Sequence, residues 1–302
     1  MKLFAGIDGG QSSTIALVAD ERGAVLGRGV AGPCDHIGQS STSVRFARAL
    51  EGALADALQK ASLPRNSTFE AIVAGISGYE GTIVGVEPQL RTKRTCYVHD
   101  ARIAHAAAFE FAPGIVVIAG TGSVAYGRNE RGADALVGGW GFLFGDEGSA
   151  FALARRAVSS AMRAQNEDRR SPIAAEATAF FGVATLRALA HDFYTGKIDR
   201  AALAAFAQRV IVLAEEGERD AAALVEEAAA ALADLSRTCA LRLEYDGSDI
   251  GVALAGGTFA SAFFRARVQQ QIGALMPLAD VRVLRDEPAK GALLLAYKEV
   301  EG

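Results

Sequence analysis

The fold is decided by residues 3–30, which read LFAGIDGGQSSTIALVADERGAVLGRGV. An apolar run at 3–7 leads into a polar, glycine-rich segment at 8–13, and two more apolar runs follow at 14–19 and 24–30. Short apolar runs separated by glycine-containing turns are typical of consecutive β-strands. We therefore predict three strands, the first two joined by a glycine-rich turn and the last two by a tight turn.

The same pattern begins again at residue 115. Residues 115–119 are apolar, residues 120–123 read GTGS, and apolar runs follow at 124–127 and 133–137. The sequence E-R-G precedes the third run in both copies. Such a match indicates that the chain contains two related halves.

The parallel extends further along each half. Short apolar segments at 71–76 and 250–255 are followed by glycine-containing turns, and a strand leading into a helix is expected at 97–111 and again at 281–298. Each half therefore reads β-β-β-α-β-α-β-α. The fold class predicted is α/β, with two actin-like (ribonuclease H-like) domains in a duplicated arrangement.

We place the domain boundary near residue 112, giving an N-terminal domain at 1–112 and a C-terminal domain at 113–302. A helical insertion is expected at about 146–245, and the last helix is expected to be able to pack on the N-terminal domain. Within the insertion, a helical spacing of apolar residues predicts a core-facing stripe. The stripe consists of Leu224, Ala228, Leu232, Leu235 and Cys239.

Composition excludes several classes of function. The 302 residues carry a net charge of −4, which gives no electrostatic reason to bind nucleic acid or an anionic membrane. Cys34, Cys96 and Cys239 are far apart, which favours buried thiols in a reducing compartment over disulfides or a zinc site. The uncharged stretch at 111–127 is interrupted by glycine and proline, so we do not expect it to span a membrane. We expect a cytoplasmic protein.

Each glycine-rich turn carries groups suited to phosphate. Glycine lets backbone N–H groups approach an anion closely, and hydroxyl side chains add donors. A matched pair of turns in two repeats suits one polyphosphate, which predicts ATP as cofactor. A carboxylate near phosphates, here Asp8, needs a cation, so we expect Mg²⁺ there, bound directly or through water. The candidate phosphate ligands are Gly9, Gly10, Gln11, Ser12, Ser13, Gly120, Thr121, Gly122 and Ser123.

Asp100 follows a short strand and precedes an alanine-rich helix. That place lies at the carboxyl edge of the sheet, where open α/β sheets bind ligands. A carboxylate there can accept the proton of an attacking hydroxyl, as a phosphotransferase requires. Aspartate is equally favoured as a helix N-cap, and spacing alone does not separate the two interpretations.

Three loops are candidates for ligand contact. Residues 138–150 read GGWGFLFGDEGSA, and they form either a pocket wall in which Asp146 binds a polyhydroxylated ligand or a tight loop before a capped helix that Asp146, Glu147 and Ser149 begin. In the loop at 32–38, Asp35 and His36 can bind sugar hydroxyls or cap the turn. The bare backbone of Gly256, Gly257 and Thr258 suits a purine, or a close contact between strand and helix.

Together these motifs resemble the N-acetylglucosamine kinase branch of the BadF/BadG/BcrA/BcrD ATPase family, within the hexokinase–actin–chaperone ATPase superfamily. The matching segments, in chain order, are GIDGGQSST, GISG, VHDARIA, AGTGS, GGWGFLFGDEGSA, ALAGGTFAS and PAKGALLLA. The resemblance implies a kinase that transfers the γ-phosphate of ATP to an amino sugar, with N-acetylglucosamine as first choice and O6 as acceptor. Glucosamine and N-acetylmuramate are the alternatives, and a homodimer is expected.

The resemblance also implies roles for individual residues. Asp100 would be the general base, Ser12 and Thr121 would lie near the phosphates, and Gly256 and Gly257 near adenosine. The implied sugar ligands are Asp35, His36, Ser77, Asp100, Gly139, Trp140, Gly141 and Asp146. The family usually has asparagine where this chain has Asp35. This change favours one of two things: a free amine in place of an acetamide, or another hydroxyl pattern on the sugar.

The sequence disfavours two other functions that proteins with the same fold perform. Activators of 2-hydroxyacyl-CoA dehydratases need paired cysteines in the second half to hold an iron–sulfur cluster, and that half contains only Cys239. A sugar sensor without turnover would not need Asp100 and both phosphate turns.

Overall fold

The strands form two groups of five in the computed structural model, which describes residues 1–34, 38–245 and 249–301. The first elements are β1 (Leu3–Gly9), β2 (Thr14–Asp20), β3 (Val25–Ala31), α1 (Arg45–Lys60), β4 (Ala71–Ile76), β5 (Thr95–His99) and α2 (Asp100–Phe109). They are followed by β6 (Gly114–Ala119), β7 (Ser123–Arg128), β8 (Asp134–Gly138), α3 (Ala150–Asn166), α4 (Pro172–Phe181), α5 (Leu186–Tyr194), α6 (Arg200–Ala205), α7 (Ala207–Glu215), α8 (Arg219–Arg242), β9 (Ile250–Ala255), α9 (Ala262–Leu275), β10 (Ala279–Val283) and α10 (Pro288–Glu301), with a 3-10 helix at Gly257–Ala260.

The two sheets have the same strand order, as the repeat predicts. The first runs β3-β2-β1-β4-β5 and the second, read from its other end, runs β8-β7-β6-β9-β10. In each, the first strand of the repeat is paired in parallel with the fourth, and the fourth with the fifth. Parallel pairing brings the carboxyl ends of these strands to one edge of the sheet.

The predicted order of elements is wrong at one place in the first half. Residues 77–94, between β4 and β5, form no helix, whereas α9 occupies the equivalent interval in the second half. Gly85 has a φ of +128°, outside the helical region, and a side chain there would meet the Ser43 carbonyl at 2.7 Å. Pro88 removes a further backbone N–H, so the segment crosses the surface as an irregular connection.

The chain divides into two units, residues Met1–Gly114 with Leu284–Gly302, and Ile115–Val283. A single cut near residue 112 therefore does not describe it, because the C-terminal helix α10 belongs to the first unit. There Ala292, Leu293 and Ala296 pack with Phe4 and Ile103 in one buried cluster. Just before this helix, Glu287 forms a bidentate ion pair with Arg28 in β3, with nitrogen–oxygen distances of 2.7–2.9 Å.

Helices α3–α8 form the insertion, and its core follows the predicted stripe. Ala228, Leu232 and Cys239 of α8 are buried, and Leu224 and Leu235 pack partly buried against the same cluster. Cys34 is also buried, while Cys96 is partly exposed, and no disulfide joins the three cysteines, all of which lie in the described ranges. Among the described residues no single helix is long and apolar enough to cross a membrane; α4 and α5, bent by 50°, meet that test only as a pair, by length and composition.

Candidate functional site

In the first unit, one sheet edge collects the polar candidates of that half. β1, β4 and β5 are parallel, so Asp8 near the end of β1, Ser77 after β4 and Asp100 after β5 lie along their carboxyl ends. Burial raises the pKa of Asp8 to about 7, and the negative charges of Asp100 and Glu287 add to the rise. The edge therefore concentrates negative charge that a cation would neutralise.

Asp100 is the first residue of α2, and it is not the N-cap. The cap is His99, whose Nδ1 accepts the N–H of Ala101 at 3.1 Å. The N-cap interpretation of Asp100 is therefore wrong, and its carboxylate is not used to begin the helix.

No donor among the described residues reaches one carboxylate oxygen of Asp100. Oδ1 is buried and, among the described residues, accepts no hydrogen bond, although it lies 2.8 Å from Nδ1 of His99. The same nitrogen accepts the Ala101 N–H at 3.1 Å, and a ring nitrogen that accepts a hydrogen bond does not donate one. A buried carboxylate oxygen without a donor is rare in folded proteins, and it suits a group that receives a proton from a ligand.

The first glycine-rich turn, predicted to bind phosphate, is tight and its two serine hydroxyls lie on the surface. The N–H of Gly10 donates to Ser13 O at 3.0 Å, and Gly10 O accepts the N–H of Cys34 at 3.2 Å. Ser12 and Ser13 are exposed, whereas Gly9 is buried at the end of β1. The side chain of Gln11 reaches Ser77 Oγ at 3.4 Å and thus links this turn to the residue after β4.

The second glycine-rich turn, at 120–123 in the second unit, offers an anion fewer donors than the sequence predicts. The N–H of Gly120 donates to Gly122 O at 2.9 Å. Ser123 is buried, its N–H donates to Asp146 Oδ1 at 3.3 Å and its hydroxyl to Glu147 O at 2.7 Å. In the described part of the chain no acceptor is paired with the N–H groups of Thr121 and Gly122, so these remain as the donors that an anion can use.

The glycine-rich loop after β8 is exposed at its tip, where the side chain of Trp140 is 74% exposed between Gly139 and Gly141. Helix α3 begins at Ala150, and Ser149 caps it by accepting the N–H of Ala152 at 3.1 Å. The expectation that Asp146 and Glu147 begin the helix is wrong, since both precede the cap.

Asp146 is only 5% exposed, and its carboxylate is occupied within the unit. It accepts the Ser123 N–H and lies 3.3 Å from a guanidinium nitrogen of Arg200. Burial raises the pKa of Asp146, while the Ser123 N–H and the charge of Arg200 oppose that rise. Arg200 could not be predicted from the sequence, because it lies 54 residues beyond Asp146 and no local motif marks it.

The adenosine candidates follow β9. A side chain on Gly256, which has a φ of +106°, would lie 2.3 Å from the carbonyl oxygen of Ala119. Thr258 is buried and its hydroxyl donates to the same carbonyl. These two residues fit the close contact between segments, and Gly257 is the one with open space beside it.

Two of the sugar candidates, Asp35 and His36, lie outside the described residues. Within the described ranges, no group of three or more histidine, cysteine, aspartate or glutamate residues is placed to hold a metal ion. Asp8 is thus a lone carboxylate candidate, and it suits a hydrated cation. The raised pKa of Asp8 fits such a cation, because a positive charge beside it would favour the ionised form.

The chain matches the BadF/BadG/BcrA/BcrD ATPase family over residues 5–296. The N-acetylmuramic acid/N-acetylglucosamine kinase of Clostridium acetobutylicum is 26% identical to it over 309 aligned positions that cover the whole of both chains. A crystal structure from Chromobacterium violaceum, provisionally assigned as an N-acetylglucosamine kinase, superimposes with a TM-score of 0.81 at 25% identity, covering 98% of this chain and 99% of the other.

A more distant structure shares the fold. It is a ROK family glucokinase from Streptomyces griseus, in complex with glucose and AMPPNP, with a TM-score of 0.63 at 18% identity over 98% of this chain and 99% of the other. These likenesses confirm the predicted two-domain α/β fold.

Proposed function

The chain belongs to the BadF/BadG/BcrA/BcrD ATPase family, and from that premise we propose that it is an ATP-dependent kinase of an amino sugar. The full-length relative from Clostridium acetobutylicum, named as a kinase of N-acetylmuramic acid and N-acetylglucosamine, supports the carbohydrate kinase activity. N-Acetylglucosamine is our first choice of substrate and O6 our choice of acceptor. Glucosamine and N-acetylmuramate are the alternatives.

The observation that carries the proposal is the buried oxygen of Asp100 that accepts no hydrogen bond from the described residues. It lies at the sheet edge that also holds Ser77 and the exposed hydroxyls of Ser12 and Ser13. A sugar hydroxyl is the donor that this oxygen lacks. When the hydroxyl oxygen forms its bond to the γ-phosphorus, the bond from that phosphorus to the β-phosphate oxygen breaks, ADP leaves and the hydroxyl proton passes to Asp100.

In this proposal each repeat, taken by itself, supplies candidate phosphate ligands. Ser12 and Ser13 offer hydroxyls, and Thr121 and Gly122 offer backbone N–H groups of the kind that stabilise anions. Asp8 would hold hydrated Mg²⁺, which when bound neutralises charge on the phosphates. Gly257 offers bare backbone to adenosine.

The cysteines argue against the activator function. That function needs paired thiolate ligands, and the three cysteines of the chain include one in the second half, Cys239. Cys239 is buried in the core of the insertion, and burial raises its pKa to about 12, so it is a packing residue.

A coupled ADP-release assay over a panel of sugars tests the proposal. The panel comprises N-acetylglucosamine, glucosamine, N-acetylmuramate, N-acetylmannosamine and glucose, with a reaction lacking sugar as control. We expect sugar-dependent ADP release with the highest kcat/KM for N-acetylglucosamine, and a product phosphorylated at O6. Sugar-independent ATP hydrolysis, or no turnover with any sugar, would contradict the proposed sugar kinase activity. The homodimer and the cytoplasmic location remain proposals; light scattering tests the first and cell fractionation the second.

A further inference from the structure

We infer that His99 is a positioning residue for Asp100, and that the protonation of His99 decides whether Asp100 can accept a proton from the substrate. With the ring neutral, Nδ1 caps α2 and leaves the carboxylate available. With the ring charged, Nδ1 carries a proton and donates a hydrogen bond to Oδ1 of Asp100. The inference rests on the proposed function for the role of Asp100, and its evidence comes entirely from the first unit.

A single ring nitrogen lies within hydrogen-bond distance of two groups. Nδ1 of His99 is 3.1 Å from the backbone nitrogen of Ala101 and 2.8 Å from Oδ1 of Asp100. An unprotonated Nδ1 can only accept, from Ala101, and a protonated Nδ1 can only donate, to Asp100. Both distances already lie in the range of hydrogen bonds, so the exchange of partners needs a proton and no movement of the backbone.

The neutral state places two acceptors against each other. Nδ1 and Oδ1 both carry lone pairs, and their partial negative charges repel at a separation of 2.8 Å. Because no described residue gives Oδ1 a hydrogen bond, a proton on either atom relieves this repulsion. A sugar hydroxyl supplies that proton to Asp100, whereas at low pH the solvent supplies it to His99. The second event occupies the oxygen that the first one needs.

Histidine adds a response to pH at a position that otherwise needs only a helix cap. Serine, threonine, asparagine and aspartate are the preferred caps, and Ser149 and Ser261 cap α3 and α9 in this chain. The side chain of His99 is 19% exposed, so it can exchange a proton with solvent. Histidine changes its charge between about pH 5 and pH 8, the range in which the proposed kinase would work.

The charged groups on neighbouring elements favour a charged ring. Asp8 in β1 and Glu287 before α10 are the acids at this sheet edge, and Glu287 is paired with Arg28. The next positive charge on α2 is that of Arg102, which is exposed and therefore screened by solvent. The negative charges at the edge thus add to that of Asp100 in stabilising a proton on His99.

The remaining neighbours of His99 carry no charge in this pH range. β4 pairs with β5 and is followed by Ser77, which does not titrate. Side chains alternate along a strand, so Tyr97 lies on the same side of β5 as His99, and its ring is 6.3 Å from that of Tyr79. Burial raises the pKa of Tyr97 to about 12. Phe46 of α1 reaches β5 through its contact with Tyr97.

Nitrogen-15 NMR of histidine-labelled protein reports which ring nitrogen carries a proton, and it needs no turnover. The chain has four histidines, so the His99 signals can be assigned as those missing from His99→Asn. We expect an unprotonated Nδ1 and a protonated Nε2 at about pH 8. In Asp100→Asn the ring should become charged at a pH lower by roughly 1 unit, because the carboxylate that stabilises the charge is gone.

The pH dependence of kcat tests the consequence for turnover. Asparagine and serine cap helices and do not titrate, so His99→Asn and His99→Ser should lose the fall in kcat that the charged ring causes. With Mg²⁺, ATP and sugar all saturating, so that bound Mg²⁺ keeps Asp8 ionised, we expect the kcat of the wild type to fall on the order of 10-fold from about pH 8 to about pH 5.5. The kcat of the two variants should fall by no more than about twofold.

His191→Asn is the matched control, because His191 is an exposed histidine in the last turn of α5, and its profile should follow that of the wild type. A proton on Nδ1 at about pH 8, or a wild-type profile in either folded His99 variant, would overturn the inference and leave the kinase intact. An absence of sugar turnover in the wild type would instead remove the proposed function. The NMR titrations of the wild type and Asp100→Asn would still decide whether the charged His99 ring pairs with Asp100.

Discussion

The carboxylate of Asp8 lies close enough to that of Asp100 for the second charge to raise the pKa of the first. Burial is the larger cause, and together with Glu287 the three influences bring the pKa of Asp8 to about 7. The folded protein thus buries an acidic side chain at the edge of its first sheet, at a cost in folding free energy. A cost of this kind is common at functional sites, where ligand binding compensates it.

Asp8 should make the ligand-free protein less stable as the pH rises. Its folded pKa of about 7 exceeds its ordinary value of 3.8, so the folded state binds more protons between these values and the free energy of unfolding falls as pH increases through them. Asp8→Asn removes this loss. We expect the variant to be more stable than the wild type by on the order of a few kcal/mol at pH 8, and similar to it at pH 4.

Urea unfolding at several pH values, in chelator and without nucleotide, measures this difference. Asp280→Asn is the control, because Asp280 is an exposed aspartate in β10. A difference between Asp8→Asn and the wild type that does not grow with pH would contradict the assignment.

Gly256 and Gly257 should respond differently to alanine. At Gly256 the new methyl group would meet the Ala119 carbonyl in a backbone conformation that alanine avoids, so we expect a loss of about 1–3 kcal/mol in the free energy of unfolding. At Gly257 no atom of the described residues lies within 4 Å of the added methyl group, so stability should stay near that of the wild type. If adenosine lies on that backbone, KM for ATP should rise in Gly257→Ala by roughly 2- to 10-fold. Thermal melts measure the stability and initial rates measure the KM. A wild-type KM for ATP in Gly257→Ala would show that adenosine does not lie on this backbone.

Much of the fold could be predicted because its strands and turns have local sequence patterns. The apolar runs and glycine turns at 3–30 and 115–137 predict β1–β3 and β6–β8, and the equal strand order of the sheets follows from their repetition. The missing helix at 77–94 shows the limit of that reasoning. A repeat predicts equivalent elements, but here Gly85 and Pro88 override the pattern.

The candidate site was predicted less completely, because its geometry depends on partners distant in sequence. Asp100 was placed correctly at the end of a strand, yet only the structure shows that His99 caps the helix in its stead. The sequence predicts Ser123 as a phosphate ligand, but in the structure its N–H donates to Asp146. No local sequence pattern marks Arg200, because its contacts with Asp146 and Phe142 arise from the packing of α6 against the loop after β8.

Asp35 should influence the choice of sugar, since it stands where the family usually has asparagine. Asp35→Asn removes a negative charge that favours a free amine, so the ratio of kcat/KM for glucosamine to that for N-acetylglucosamine should fall by on the order of 10-fold, as one polar contact is worth about 1–3 kcal/mol. Both substrates must be measured at the same pH. An unchanged ratio would assign the selectivity to other residues.

In the proposed mechanism Asp100 accepts the proton of a sugar hydroxyl during transfer of the γ-phosphate. Its most direct test is the rate at which the wild type, Asp100→Asn and Asp220→Asn form ADP and sugar phosphate from ATP and N-acetylglucosamine, with both products quantified. Asp220 is the matched control because it also lies in the first turn of a helix, far along the chain in α8. We expect equal amounts of the two products with the wild type and Asp220→Asn, and a kcat lower by roughly 10²–10⁴-fold in an Asp100→Asn variant that still binds both ligands. Near-normal turnover by Asp100→Asn would contradict it.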